Sequence, residues 1–312
     1  MFKLKNDLKM ISAELLGGLT AQKDLTEVST ASISNKLEDE NQLRDLMEFL
    51  AQEIEEPLDT LGLRELLVGK YQHLLKYEDI TQNIDGKLRS ILSSEDRTHT
   101  VNILLSGPRR IIGTFIDGRV GGLIFNAQHK DTVEEVIRVK SRGGADRQRV
   151  FALVSTIDFS KEIIDPSLLK DIRLENLAGV CFVQLPVIPS AIERLPSEVV
   201  TLEESSKATV QFFMTPVNSP LEEIVRGSSE KDPQALFAGT SANFSNTPSL
   251  TNRVHTAVFS LHHGISYFDH PGYPDKAKRG SFSIVRINSN AEMTIVREGN
   301  RSLNYLKSRL HQ

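Results

Sequence analysis

The sequence predicts an α/β protein, a mixed β-sheet with helices, preceded by an acidic region built of helices alone. Two observations carry this reading. From Thr98 onward, short β-branched and apolar runs alternate with helical stretches, whereas the residues before it show only three- and four-residue apolar spacing. Charge divides near the same place: residues 1–95 hold 11 Lys and Arg against 18 Asp and Glu, a net −7, which leaves 26 against 23, a net +3, for residues 96–312.

In the acidic region, Leu4, Leu8, Ile11, Leu15 and Leu19 mark a first helix that ends near Gly17 or Gly18. The Ser- and Thr-rich stretch from Thr20 to Asn35 reads as a loop or linker. Leu43, Leu46, Met47, Leu50 and Ile54 then form one helical stripe, and Leu63, Leu66, Leu67, Tyr71, Leu74 and Leu75 form another. Pro57 separates the two, and Asp59 or Thr60 supplies a cap for the second. No metal, phosphate or nucleophile motif occurs here, so the region reads as a packing module, one that binds a protein partner or covers a pocket.

Beyond it, strands are expected at Val101–Leu105, Ile111–Ile116, Val150–Ser155, Val180–Val187, Ala208–Met214, Leu236–Gly239 and Ser283–Ile287. Helices are expected at Asp131–Lys140, Leu221–Arg226, Ser249–His263 and Ser302–Leu310, and Gly107–Arg110 reads as a turn between strands.

Composition excludes several classes. The 312 residues are 39% hydrophobic and carry a net charge of −4, with one Cys and no Trp. No apolar run approaches the roughly 18 residues of a membrane span, and residues 1–20 lack the apolar core of a signal peptide, so a cytoplasmic protein is expected. Cys181 has no partner for a disulfide or a thiolate zinc site and sits in an apolar run, as a buried core residue does. His262, His263 and His270 with Asp269 suggest a metal, but adjacent histidines on a helix point about 100° apart, and no metal site is expected. The chain has no Gly-x-Ser-x-Gly elbow for a hydrolase.

Two segments carry the chemistry. One is Gly122-Leu-Ile-Phe-Asn-Ala-Gln128, then the helix ending in Lys140-Ser-Arg142 before an apolar strand; the other is Leu236-Phe-Ala-Gly-Thr-Ser-Ala-Asn-Phe-Ser-Asn-Thr-Pro248. Together they resemble the YrdC family, the threonylcarbamoyl-AMP synthases of tRNA modification, in which Lys-x-Arg precedes a strand and Thr-Ser-Ala-Asn-x-Ser follows later. Phe282-Ser-Ile-Val285 and Ile295-Val-Arg-Glu-Gly299 resemble that family's Ser-Thr-Ile-Val strand and its closing Leu-Arg-x-Gly segment, respectively. The resemblance covers about residues 98–312 and implies the family's twisted mixed sheet.

It also implies a chemistry. Carbamate made from an amine and bicarbonate attacks the α-phosphorus of ATP, so cations must converge on one pocket. By resemblance Lys140 and Arg142 are the catalytic pair, Lys140 as a point charge and Arg142 as a bidentate fork. Ser241 and Asn243, with Thr240 and Ser245 of the same segment, would bind substrate or nucleotide, and Arg297 would close over it. ATP with Mg2+, bicarbonate, an amino acid and tRNA are the implied partners.

The departures redirect the expectation. The family's threonine-binding segment falls on Ile116-Asp-Gly-Arg-Val-Gly-Gly-Leu123, where Arg119 replaces a Thr that points toward substrate. Arg147 or Arg149 would replace a lost Lys charge. An added Arg favours a more acidic amine than threonine. The alternative is a non-catalytic module that keeps a nucleotide- or RNA-binding cavity, consistent with the basic cluster from Arg138 to Arg149.

Overall fold

Side chains of a strand alternate between faces, and a sheet covered on both sides reads as a continuous apolar run. The run at residues 120–126 behaves so: Leu123 and Phe125 enter one core, Val120 and Ile124 the other. The structure, a computed structural model, describes residues 62–65, 67, 87–107, 109–116, 119–140, 151–202, 208–243, 248–270 and 280–310.

Among these residues eleven strands form one mixed sheet. They are β1 (Leu88–Ser90), β2 (Ile111–Ile116), β3 (Val120–Asn126), β4 (Ala152–Ser155), β5 (Phe182–Pro186), β6 (Val200–Leu202), β7 (Ala208–Met214), β8 (Phe237–Ser241), β9 (Ser266–Asp269), β10 (Ile284–Ile287) and β11 (Met293–Arg297). Their spatial order is β1-β9-β2-β3-β8-β4-β7-β5-β10-β11. β7 lends one edge to two partners, β4 beside Phe212–Met214 and β6 beside Ala208–Val210.

Helices cover both faces. α1 (Ser94–Leu105) and α5 (Pro220–Lys231) bury Val101, Leu104, Leu221, Ile224 and Val225 on one side. On the other lie α2 (Lys130–Val139), α6 (Arg253–His262) and α7 (Leu303–Leu310). Two shorter helices, α3 (Ile157–Ile163) and α4 (Pro189–Ile192), flank β5 in sequence. Buried Cys181 belongs to the core of this second side.

The expected strand at Val101–Leu105 is instead the last turn and a half of α1. Ser93 caps that helix, its side chain accepting from the Asp96 N–H at 3.3 Å, and Glu95 and Asp96 complement the dipole at its start. Val101 and Leu104 then bury at helical spacing against the sheet, so tertiary contact and the cap override β-branched propensity. The turn at residues 107–110 accordingly joins a helix to β2. The short strands β1, at the sheet edge, and β9 beside it, paired in parallel, carry too few residues to be read from periodicity; Gly264, at φ +71°, ends α6 just before β9.

The helices expected from Leu4 to Ile54 and the linker between them lie outside the described residues. Of the third stripe, residues 62–65 are helical, and Leu63 and Leu67 are fully buried in the same core as Leu123. No helix among the described residues is long and apolar enough to cross a membrane.

Candidate functional site

β8 runs antiparallel beside β3, with Gly122 opposite Ser241. Past Ser241 the ladder gives way to a turn, closed by the Ala242 N–H on Gly121 O at 2.8 Å and the Gly121 N–H on Leu250 O at 2.7 Å. These glycines are set by close approach: a Cβ on Gly121 would strike the Thr256 side chain of α6, and one on Gly122 would strike Ile116.

Lys140 enters this turn from the end of α2, where its own N–H donates to Val136 O at 3.0 Å. The side chain is 1% exposed. Its Nζ donates to Ser241 O at 2.5 Å, Asn243 Oδ1 at 2.8 Å and Thr240 Oγ1 at 3.1 Å, with Ser241 Oγ at 3.4 Å. Ser241 Oγ in turn donates to Asn243 Oδ1 at 2.7 Å. An ammonium has three protons and a burial cost to offset, and this ring of oxygens meets both needs. Lys140, Thr240, Ser241 and Asn243 are thus brought together.

Arg119 and Arg297 meet elsewhere, on Phe282. The Arg119 guanidinium carbon lies 5.6 Å from the Phe282 ring centroid, and Arg297 Nη2 donates to Phe282 O at 3.1 Å. The Gly280 N–H donates to Arg119 O at 3.1 Å, which holds the segment before Phe282 against the start of β3. Phe282 itself packs edge-on against Phe182 and Phe213, with centroids 5.6 and 5.2 Å away. Desolvation lowers the Arg297 pKa from its ordinary value, although the residue as a whole is exposed.

Arg119 stands three residues before Gly122, the partner of Ser241, so the two groups are separated by roughly 10 Å along β3. Gly299 belongs to the second group: a Cβ there would run into the backbone of Phe282 and Ser283. Phe282 was visible in sequence only as the first residue of an apolar strand; nothing in its spacing marks it as a hub for two arginines. Arg142, Arg147, Arg149 and Ser245 lie outside the described residues.

Asp269 receives two bonds from buried Arg253, Nε to Oδ1 at 3.1 Å and Nη2 to Oδ2 at 2.7 Å, so its carboxylate serves an ion pair. His263 packs edge-on against Phe259. Burial pushes the Cys181 thiol up to about 12, which leaves it a protonated core residue.

No protein-family model and no curated protein matches the sequence. Solved structures do. Sua5 from P. abyssi, crystallised with L-threonine, matches at 16% identity over 70% of this chain and 58% of its own, with a TM-score of 0.50. A second P. abyssi Sua5 structure matches at 15% identity over 68% and 55%, also at 0.50. E. coli YciO matches at 17% identity over 69% of this chain and 94% of its own, at 0.48. The chain therefore has the Sua5 fold, the mixed sheet with helices expected of a YrdC-like protein, and it spans under three fifths of the length of the Sua5 chains it matches.

Proposed function

We propose that this protein is an ATP-dependent carbamoyl-adenylate synthase of the threonylcarbamoyl-AMP type, acting in tRNA threonylcarbamoyladenosine formation or on a more acidic amine. The observation that carries the reading is the convergence of the Lys140 ammonium with Thr240, Ser241 and Asn243 where β8 ends. A fixed positive charge at a strand end, beside neutral donors, suits a triphosphate whose α-phosphorus is attacked. Arg142 would add the bidentate contact. Arg119 and Arg297, both held on Phe282, would flank the nucleotide and the amine's carboxylate.

In this scheme the amine and bicarbonate condense to a carbamate with loss of water. A carbamate oxygen then bonds to the α-phosphorus as the bond to the β-phosphate bridging oxygen breaks, releasing pyrophosphate. The described residues include no group of three or more metal-ligating side chains. ATP would bring a magnesium ion with it, which would neutralise charge on the phosphate oxygens.

Pyrophosphate release from ATP, bicarbonate and a panel of amino acids tests the reading. Release that depends on bicarbonate and is strongest with acidic amines is expected; no release with any amine would sink it. One observation favours a second reading. The Lys140 ammonium already has its three protons directed at protein oxygens. A non-catalytic module that binds nucleotide or tRNA would use the same residue as a clamp on the turn. It would bind tRNA with steep salt dependence and release no pyrophosphate.

A further inference from the structure

A second cavity, of about 390 Å³, opens at the other end of the β3 and β8 pair, where Asn126 ends β3 and Leu236 leads into β8. Its size suits a small ligand. The ten-residue helix α2 separates it from Lys140, with His129 at the helix start lining the cavity, so the two places are roughly 15 Å apart.

Four side chains give the cavity its chemistry. Asn126 is 3% exposed, and its Oδ1 accepts from the Gln128 N–H at 3.1 Å. That bond engages the amide oxygen of a residue that lines the cavity, and Nδ2 makes no hydrogen bond among the described residues. A ligand acceptor could take that donor. Arg194 and Asp232 both line the cavity, yet among the described residues neither forms an ion pair. One Asp232 oxygen accepts from the Gln234 N–H at 3.0 Å, and the other accepts no hydrogen bond among the described residues. The His129 side chain makes no capping bond. Phe159, Ile163 and Leu195 supply an apolar wall.

Opposite charges that share a cavity without neutralising each other fit a ligand that carries both. We infer that this cavity binds a small zwitterion, a free amino acid with an apolar side chain. Its carboxylate is received by Arg194, Asn126 Nδ2 and His129, its ammonium by Asp232, and its side chain by Phe159, Ile163 and Leu195. The site is distinct from the Lys140 turn and does not depend on the activity proposed there.

Isothermal titration of the full chain with L-leucine tests this, against N-acetyl-leucine, which lacks the ammonium, and leucinamide, which lacks the carboxylate. Saturable binding of leucine is expected, weakened about tenfold or more for each analogue and in each of Arg194→Ala and Asp232→Ala, since each change removes a charged hydrogen bond. Both substitutions are at the protein surface and leave the core intact. Arg297→Ala and Ser241→Ala should bind leucine as the parent does. The inference is overturned if leucine does not saturate at millimolar concentration, or if the analogues bind equally well. It is likewise overturned if binding survives Arg194→Ala and Asp232→Ala but is lost in Ser241→Ala, which would put the amino acid in the other site.

Discussion

Lys140 and Asn243, 103 residues apart in the chain, are joined by a 2.8 Å hydrogen bond from Nζ to Oδ1. That bond ties the end of α2 to the turn after β8, and Ser241 Oγ shares the same acceptor oxygen.

Replacing Lys140 by Met should therefore affect two measurements. Pyrophosphate release should fall by at least roughly a hundredfold, as when an aimed charge is removed from a reacting group. Chemical denaturation should show a loss of about 3 kcal/mol, because the oxygens of Thr240, Ser241 and Asn243 lose a charged donor. Lys140→Arg should not restore activity, since a planar fork does not fit a ring arranged around a point charge.

Arg297 is exposed and contacts Phe282 through one carbonyl bond. Arg297→Ala should raise the KM for ATP about tenfold while shifting stability by under roughly 0.5 kcal/mol. Steady-state kinetics beside thermal melts separate the two effects; an equal fall in melting temperature and activity would assign Arg297 a structural role.

Gly299→Ala should destabilise the protein by about 1–3 kcal/mol, because the added methyl meets backbone rather than a movable side chain. It should also disturb both Arg119 and Arg297, which hang on the displaced Phe282. A melt together with ATP affinity checks this.

Arg253→Met leaves the Asp269 carboxylate buried without its partner and should cost about 3–5 kcal/mol. Pairing it with Asp269→Leu should cost clearly less than the two single changes summed, as a double-mutant cycle by urea unfolding would show.

Cys181 should resist alkylation in the folded protein and react once the chain is unfolded. Its folded pKa of about 12 stands above the ordinary 9.0, so below pH 9.0 the thiol is protonated in both states and its contribution to stability is full. As pH rises past that value the unfolded thiol ionises first, and stability falls by about 1.4 kcal/mol per pH unit until the folded thiol ionises too. Cys181→Ala should remove that slope.

What the sequence discloses differs between fold and site. Strands such as β7, uninterrupted and seven residues long, and helices with strong apolar stripes such as α2 stand at or within a residue of their expected bounds. α1 does not, because a cap at Ser93 and a contact with α5 decide its state and neither is a local periodicity. Lys140 and Asn243 can be named from motif order alone, since each lies in a segment with its own signature. The Phe282 hub and the cavity of Asn126, Arg194 and Asp232 cannot. Each is assembled from segments far apart in the chain, by side chains that are individually ordinary.

Leu63 and Leu67 bear on how the acidic and basic parts of the chain hold together. Both leucines add hydrocarbon to a contact that also includes the Arg89–Asp96 ion pair and the pairing of β1 with β9, so added salt, which screens attraction between exposed opposite charges, should leave the hydrocarbon share of it in place. Conversely, a chain trimmed to start at residue 96 would lose both leucines and β1, baring greasy surface on the sheet domain. Such a fragment would be expected to self-associate, and the net charge of +3 on its remaining residues would offer little repulsion to prevent it.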